Sequence, residues 1–200
     1  MDSAAELLAL GTATLAEAWP AARLVDLPLR PLAPGMGCAG PALTVRCRPG
    51  DNLALHRALA VSRPGQVLVI DYGGCTDSGP FGEIMALASQ QRGLAGLVID
   101  GAVRDSAQIA ALGFPVFCRG LNIRGTVKTD PGRIGMPLDL GGVAIAPGDI
   151  LVADADAVVA LAPDDLQPAL AAARLRAEKE ENMKRRIIAG ETTLQILGLQ

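Results

Sequence analysis

Residues 73–105 read GGCTDSGPFGEIMALASQQRGLAGLVIDGAVRD. Their pattern decides the fold class. Residues 73–82 form a loop rich in glycine and small side chains. A helical pattern follows, with Ile84, Leu87 and Ala88 as its apolar face and Ser89, Gln90, Gln91 and Arg92 at its polar end. Gly93 stops the helix. Residues 94–99 are then an apolar run of strand length. A second run, QVLVI over 66–70, lies just upstream. Strand, loop, helix and strand in that order predict an α/β domain with mixed strand order.

The end of this stretch is polar: Asp100, Gly101, Arg104 and Asp105 follow the strand. Open α/β sheets place ligands just beyond the carboxyl ends of their strands. The glycine loop also leads into a helix start, where free amides and the helix dipole favour an anion. Amides of Gly82, Glu83, Ile84 and Met85, beside the Arg104 guanidinium and the Asp105 carboxylate, would hold a small acid and a divalent metal. The bland alternative is that Gly82 only turns the chain and Arg104 and Asp105 form a surface ion pair.

Composition narrows the rest. Two hundred residues allow one domain, or two small ones. Half the residues are hydrophobic but only 2% are aromatic, so the core is built from Leu, Val, Ile and Ala. Net charge is −3 with no basic block, and few aromatics are present to stack on bases, which argues against nucleic acid. Cys38, Cys47, Cys75 and Cys118 make neither a CxxC pair nor a disulfide framework, so reduced thiols in a cytoplasmic protein are expected. His56 is the single histidine, which removes zinc sites built on several. No export signal and no 18-residue apolar run is seen, so no membrane association is expected.

Along the chain, 3–18 reads as an amphipathic helix, interrupted near Thr12 and Thr14. Residues 24–32 read as a strand, 35–40 as a turn, and 42–47 (ALTVRC) as an alternating strand. Asp51 or Asn52 caps a helix carrying Leu53, Leu55, Ala58 and Leu59. His56 follows Leu53 and Leu55 there and reads as structural. After the central stretch come a helix over 106–112, a strand over 116–119 and a loop-rich excursion over 120–137. Residues 143–146 and 150–153 look like two strands around a Pro-Gly-Asp turn, and 157–161 is one more. A long helix over 164–189 is apolar first and then almost wholly charged. It either packs on a neighbouring subunit or lies solvated on its own. No period of 20–50 residues repeats, so 1–200 reads as a single domain.

These blocks resemble the RraA-like family, which includes the 4-hydroxy-4-methyl-2-oxoglutarate/4-carboxy-4-hydroxy-2-oxoadipate aldolases. The resemblance runs through GPALTVRCRPGDNLALHRAL, PGQVLVIDYGG, the block ending in DGAVRD, GFPVFCRG, GGVAIAPGDILVADADAVVA and a charged terminal helix with IIAGE. It implies a compact α/β/β/α sandwich of the swivelling-domain type, with mixed sheets and a long C-terminal helix. Homotrimers or hexamers are implied as well. It further implies class II, divalent-metal-dependent cleavage of keto acids to pyruvate, with oxaloacetate decarboxylation through the same enolate.

By the same resemblance, Gly82, Glu83, Ile84 and Met85 hold the substrate carboxylate and Arg104 contacts the keto oxygen. Asp105 carries Mg²⁺ or Mn²⁺, and a glutamate from a neighbour's terminal helix approaches that metal through water. Spacing favours Glu180 for it, with Glu178 and Glu181 as rivals. Glu83 is the nearest candidate base. The chain departs from the family pattern at Glu83, where aspartate is usual, at Ala157, where glycine is usual, and at Pro163, which comes late. Regulators of ribonuclease E in the same family act by protein binding and lack the aspartate after the arginine. They are the alternative reading, which Asp105 disfavours.

Overall fold

The computed structural model describes residues 3–199. Its elements are α1 (Ser3–Leu10), α2 (Thr12–Ala18), β1 (Arg23–Leu24), β2 (Arg30–Pro31), β3 (Cys38–Arg46), α3 (Leu53–Val61) and β4 (Val67–Asp71). The central part has α4 (Glu83–Gln91), β5 (Gly96–Ile99), β6 (Ala102–Val103), α5 (Ser106–Leu112), β7 (Val116–Cys118), β8 (Gly120–Leu121) and β9 (Arg133–Ile134). Then follow β10 (Leu138–Leu140), β11 (Val143–Ile145), β12 (Ile150–Ala153), β13 (Val158–Leu161), a 3-10 turn (Pro163–Asp165), α6 (Leu166–Ile188) and α7 (Thr193–Leu197).

One curled mixed sheet runs in the order β1-β13-β12-β3-β4-β5-β7-β2. Strand β3 joins its two halves. Cys38 to Pro41 pair antiparallel with β12, and Ala42 to Arg46 pair parallel with β4. Side chains alternate along the strands, so each strand feeds two layers. Leu68 and Ile70 meet Leu55, Met85 and Ile109 under α3, α4 and α5. Val67 and Val69 point the other way, to Leu151, Val158 and the β10–β11 hairpin. On the far side Val152 and Leu161 meet Leu7, Leu15 and Leu170 of α1, α2 and α6. Three apolar clusters thus separate four layers, the α/β/β/α sandwich expected.

The interruption expected near Thr12 is present: two short helices form, with the break at Gly11 (φ 80°), and the Thr12 amide and hydroxyl both donate to the Asp154 carboxylate at 2.7 Å. Several other local expectations need correction. Residues 24–32 are not one strand. Only β1 and β2 form there, at opposite edges of the sheet, because Pro28 and Pro31 interrupt the donors a continuous ladder needs. Residues 38–40, read as turn, are the start of β3. Strands β11 and β12 are not a hairpin: β11 pairs β10, while β12 pairs β3 and β13.

The face of α4 is also reversed. Ile84 is 75% exposed and Leu87 42%, while Met85, Ala86 and Ser89 are buried. Ser89 is tolerated inside because its hydroxyl donates to the Met85 carbonyl at 2.7 Å.

At the point where β3 changes partners, Gly40 has no room for a side chain. A Cβ there would lie 2.1 Å from the Gly65 carbonyl oxygen. Backbone cannot yield as a side-chain tip can, so Gly40→Ala is expected to cost at least about 2 kcal/mol. Urea denaturation checks this; an unchanged midpoint would refute it.

Candidate functional site

Two loops meet at the carboxyl end of the central strands. The Arg104 amide donates to the Phe81 carbonyl at 2.9 Å, which ties residues 101–105 to the loop before α4. Phe81 is anchored in turn by stacking on Phe114, with ring centroids 6.2 Å apart. The Glu83 amide, first of α4, donates to Asp105 Oδ2 at 3.1 Å. Arg104 Nε stands 3.8 Å from that same oxygen, and both side chains are about 40% exposed.

Asp105 has φ 55° and ψ 42° and is the one non-glycine residue with positive φ among those described. Left-handed backbone is costly for most residues and least so for Asn and Asp. Gly82 completes the junction: a Cβ on it would fall 2.4 Å from Asp105 Oδ2 and 3.0 Å from Arg104 Cγ.

A cleft of about 220 Å³ opens here, lined by Gly82, Ile84, Met85, Arg104 and Asp105, with Asn52, His56, Pro80 and Lys128 as its other wall. Gly82 supplies no side-chain cap to α4. With the Glu83 amide taken by Asp105, the Ile84 and Met85 amides have no acceptor among the described residues. Free amides at a helix start are the kind of donors that favour an anion.

The structure therefore brings together Gly82, Ile84, Met85, Arg104 and Asp105. Glu83 contributes its amide, while its carboxylate is exposed and does not line the cleft. Glu180 lies elsewhere. It is on α6, ion-paired with Arg176 at 2.9 Å, and α6 packs on α1 and α2 across the sandwich from α4 and α5. Asp100 pairs with Arg119 rather than entering the cleft.

The opposite wall comes from segments the sequence did not connect. Asp51 makes that connection. It is buried, and its carboxylate accepts the Leu53 amide (2.8 Å), the Thr129 amide and hydroxyl (both 2.7 Å) and the Asp130 amide (2.9 Å). This clamps residues 127–130 onto the start of α3, so that Lys128 faces His56. His56 is exposed in the cleft wall rather than structural; desolvation and the charge of Lys128 lower its pKa. Asn52 is buried with its amide nitrogen on the Pro80 carbonyl at 2.9 Å. A legible clue was the pairing of Pro-Gly-Asp at 49–51 with Thr129 and Asp130, two polar loops with no partner of their own.

A metal is a fair guest for this donor set. Among the described residues no three His, Cys, Asp or Glu side chains converge. Asp105 nevertheless offers Oδ1 free of protein donors, since both of its contacts use Oδ2. One carboxylate oxygen plus waters matches the way Mg²⁺ is held.

The cleft sets a helix start with two free amides, a guanidinium and a half-free carboxylate on an α/β/β/α sandwich. The family model described as RraA-like (Aldolase/RraA) matches residues 12–160, and the chain belongs to that family. It is 38% identical over 159 residues to a Halalkalibacterium halodurans protein carrying the provisional name 4-hydroxy-4-methyl-2-oxoglutarate aldolase, covering 80% of this chain and 76% of that one. A Geobacillus kaustophilus structure described as an S-adenosylmethionine:2-dimethylmenaquinone methyltransferase aligns with TM-score 0.72 and 33% identity, over 76% and 94% of the two chains. The RNA-processing inhibitor RraA of Thermus thermophilus aligns with TM-score 0.71 and 27% identity, over 76% and 92%.

Burial pushes the Asp51 carboxyl up, but its hydrogen bonds outweigh that and hold it well below the usual range. Its stabilisation is therefore in force above the ordinary aspartate value and drains away as pH falls below it. Asp51→Asn is expected to lose about 2 kcal/mol at pH 7 and to flatten the acid limb of stability below about pH 4. Denaturation across pH tests both. Gly82→Ala is expected to leave the melting temperature within a few degrees while displacing Arg104 and Asp105, which ligand-binding calorimetry with pyruvate would register as weaker binding.

Proposed function

We propose that this chain is a divalent-metal-dependent carbon–carbon lyase. It cleaves 4-hydroxy-4-methyl-2-oxoglutarate-type keto acids to pyruvate, and it decarboxylates oxaloacetate through the same pyruvyl enolate. The observation that carries this reading is the convergence of Arg104, Asp105 and the unpaired Ile84 and Met85 amides on one small cleft. Membership of the RraA-like family and the likeness to the aldolase-named relative support it.

The substrate carboxylate docks on the Ile84 and Met85 amides at the positive end of α4. That places the adjacent keto oxygen toward Arg104. A base takes the C4 hydroxyl proton, the C3–C4 bond breaks, and its electron pair becomes the enolate of pyruvate. The Arg104 guanidinium, fixed beforehand, stabilises the charge that gathers on the enolate oxygen. Protonation at C3 then gives pyruvate. Glu83 fills the base role through water, since its carboxylate stands outside the cleft lining. Asp105 holds Mg²⁺ or Mn²⁺, which supplies Lewis-acid polarisation of the keto group when bound. Decarboxylation of oxaloacetate leaves the same electron pair on the same carbon, so the same residues serve it.

The proposal includes assembly as a homotrimer or hexamer of single-domain chains. An apolar rim beside the cleft supports it, with Ile123 90%, Val127 59% and Leu121 58% exposed. Glu180 from a neighbour's α6 would then approach the metal at Asp105 in trans, through water. A cytoplasmic location fits reduced cysteines and described helices too short or too polar to span a membrane. The likeness to the Thermus thermophilus RraA favours a second reading, a non-catalytic partner of a ribonuclease E-type enzyme.

Pyruvate release from 4-hydroxy-4-methyl-2-oxoglutarate and from oxaloacetate separates the two. The lyase reading expects turnover that needs Mg²⁺ or Mn²⁺, stops with chelator, and falls about 10²–10³-fold in Arg104→Ala and in Asp105→Asn. Absence of turnover with metal present, together with ribonuclease binding unchanged in Asp105→Asn, would establish the second reading instead.

A further inference from the structure

A second cleft, of about 410 Å³, opens at the ends of β3, β4 and β9 and shares no lining residue with the Arg104 cleft. Three arginines face it: Arg46, Arg48 and Arg133. Arg46 and Arg133 are direct cross-strand partners on β3 and β9. Like charges placed opposite each other on an antiparallel pair repel, and a sequence free to choose would not put them there without something anionic to share.

The carboxylates in the cleft do not fill that need. Asp71 pairs with Arg46 Nε at 2.9 Å through Oδ2 and spends Oδ1 on the Gly73 amide at 3.0 Å. Asp130 accepts the Gly132 amide at 2.8 Å and makes no ion pair. The guanidinium groups of Arg48 and Arg133 have no hydrogen-bond or ion-pair partner among the described residues, and both residues are exposed. The Nη edge of Arg46 is likewise uncommitted.

We propose that this cleft binds a small phosphate-type polyanion. Guanidinium forks match the oxygens of a phosphate group two at a time, and three forks on one concave wall suit a ligand with several such oxygens. No aromatic side chain lines the cleft, so nothing is present to stack on a nucleobase. The volume suits pyrophosphate or the phosphate monoester of a short carbon skeleton. The site is independent of the lyase reading. It does share a loop with it: Lys128 lines one cleft, Asp130 and Gly132 the other, and Asp51 clamps Thr129 and Asp130 between them.

Calorimetric titration of the metal-free protein tests the assignment, with pyrophosphate and glycerol 3-phosphate as probes and sodium chloride at matched ionic strength as control. Saturable binding with Kd at or below about 1 mM is expected for at least one probe. Binding should weaken at least about tenfold in Arg48→Ala/Arg133→Ala, weaken less in each single variant, and persist in Arg104→Ala. The tighter probe tells a free polyphosphate from a phosphate monoester. Circular dichroism verifies the fold of each variant, and the single variants carry the test if the double one misfolds. Absence of saturable binding overturns the proposal. So does binding lost in Arg104→Ala and retained in the arginine variants, which would put the anion in the other cleft.

Discussion

The change of partner along β3 is the constraint on which the rest of the structure hangs. A strand that pairs antiparallel over its first residues and parallel over its last must serve two half-sheets at once. Its side chains accordingly join all three apolar clusters, with Cys38 and Ala42 in the middle one, Ala39 in the outer one and Leu43 and Val45 under the helices. The closeness of Gly40 to Gly65 is what lets the curl happen without splaying the strands.

The cleft inherits its precision from that frame. The carboxyl ends of β4 and β5 deliver two loops to one place. The contact of the Glu83 amide with Asp105 then locks a helix start to a strand end. Asp51 does the same on the facing wall, so both walls are fixed by a carboxylate that accepts backbone amides. Such bonds are charge-assisted, and they position groups more tightly than packing of flexible side chains does.

Local sequence signals disclosed an α/β domain and one wall of the cleft, while the four layers followed from the family resemblance. Apolar runs at 66–70 and 94–99, with a glycine-stopped helix between them, are local signals, and so is the adjacency of Arg104 and Asp105 to a strand end. The other wall was not legible, because Asn52 and Lys128 are brought together by hydrogen bonds between the segments at 50–52 and 127–130, far apart in sequence. The face of α4 was misread for a related reason. Ile84 is apolar but lines the cleft and Leu87 is left exposed, and periodicity alone cannot tell a face that packs on the core from one left at the surface. The break into β1 and β2 depended on prolines whose effect shows only once the edges of the sheet are known.

The left-handed backbone at Asp105 has a bearing on how this position can drift. A substitution there passes two separate filters, one of chemistry and one of conformation. Glutamate keeps the charge yet fits the backbone poorly, and glycine eases the backbone yet discards the carboxylate. Asparagine tolerates the geometry and silences the charge while keeping a polar side chain of the same size. A descendant that shed this charge but kept the scaffold would therefore meet least resistance by passing through asparagine or glycine at residue 105.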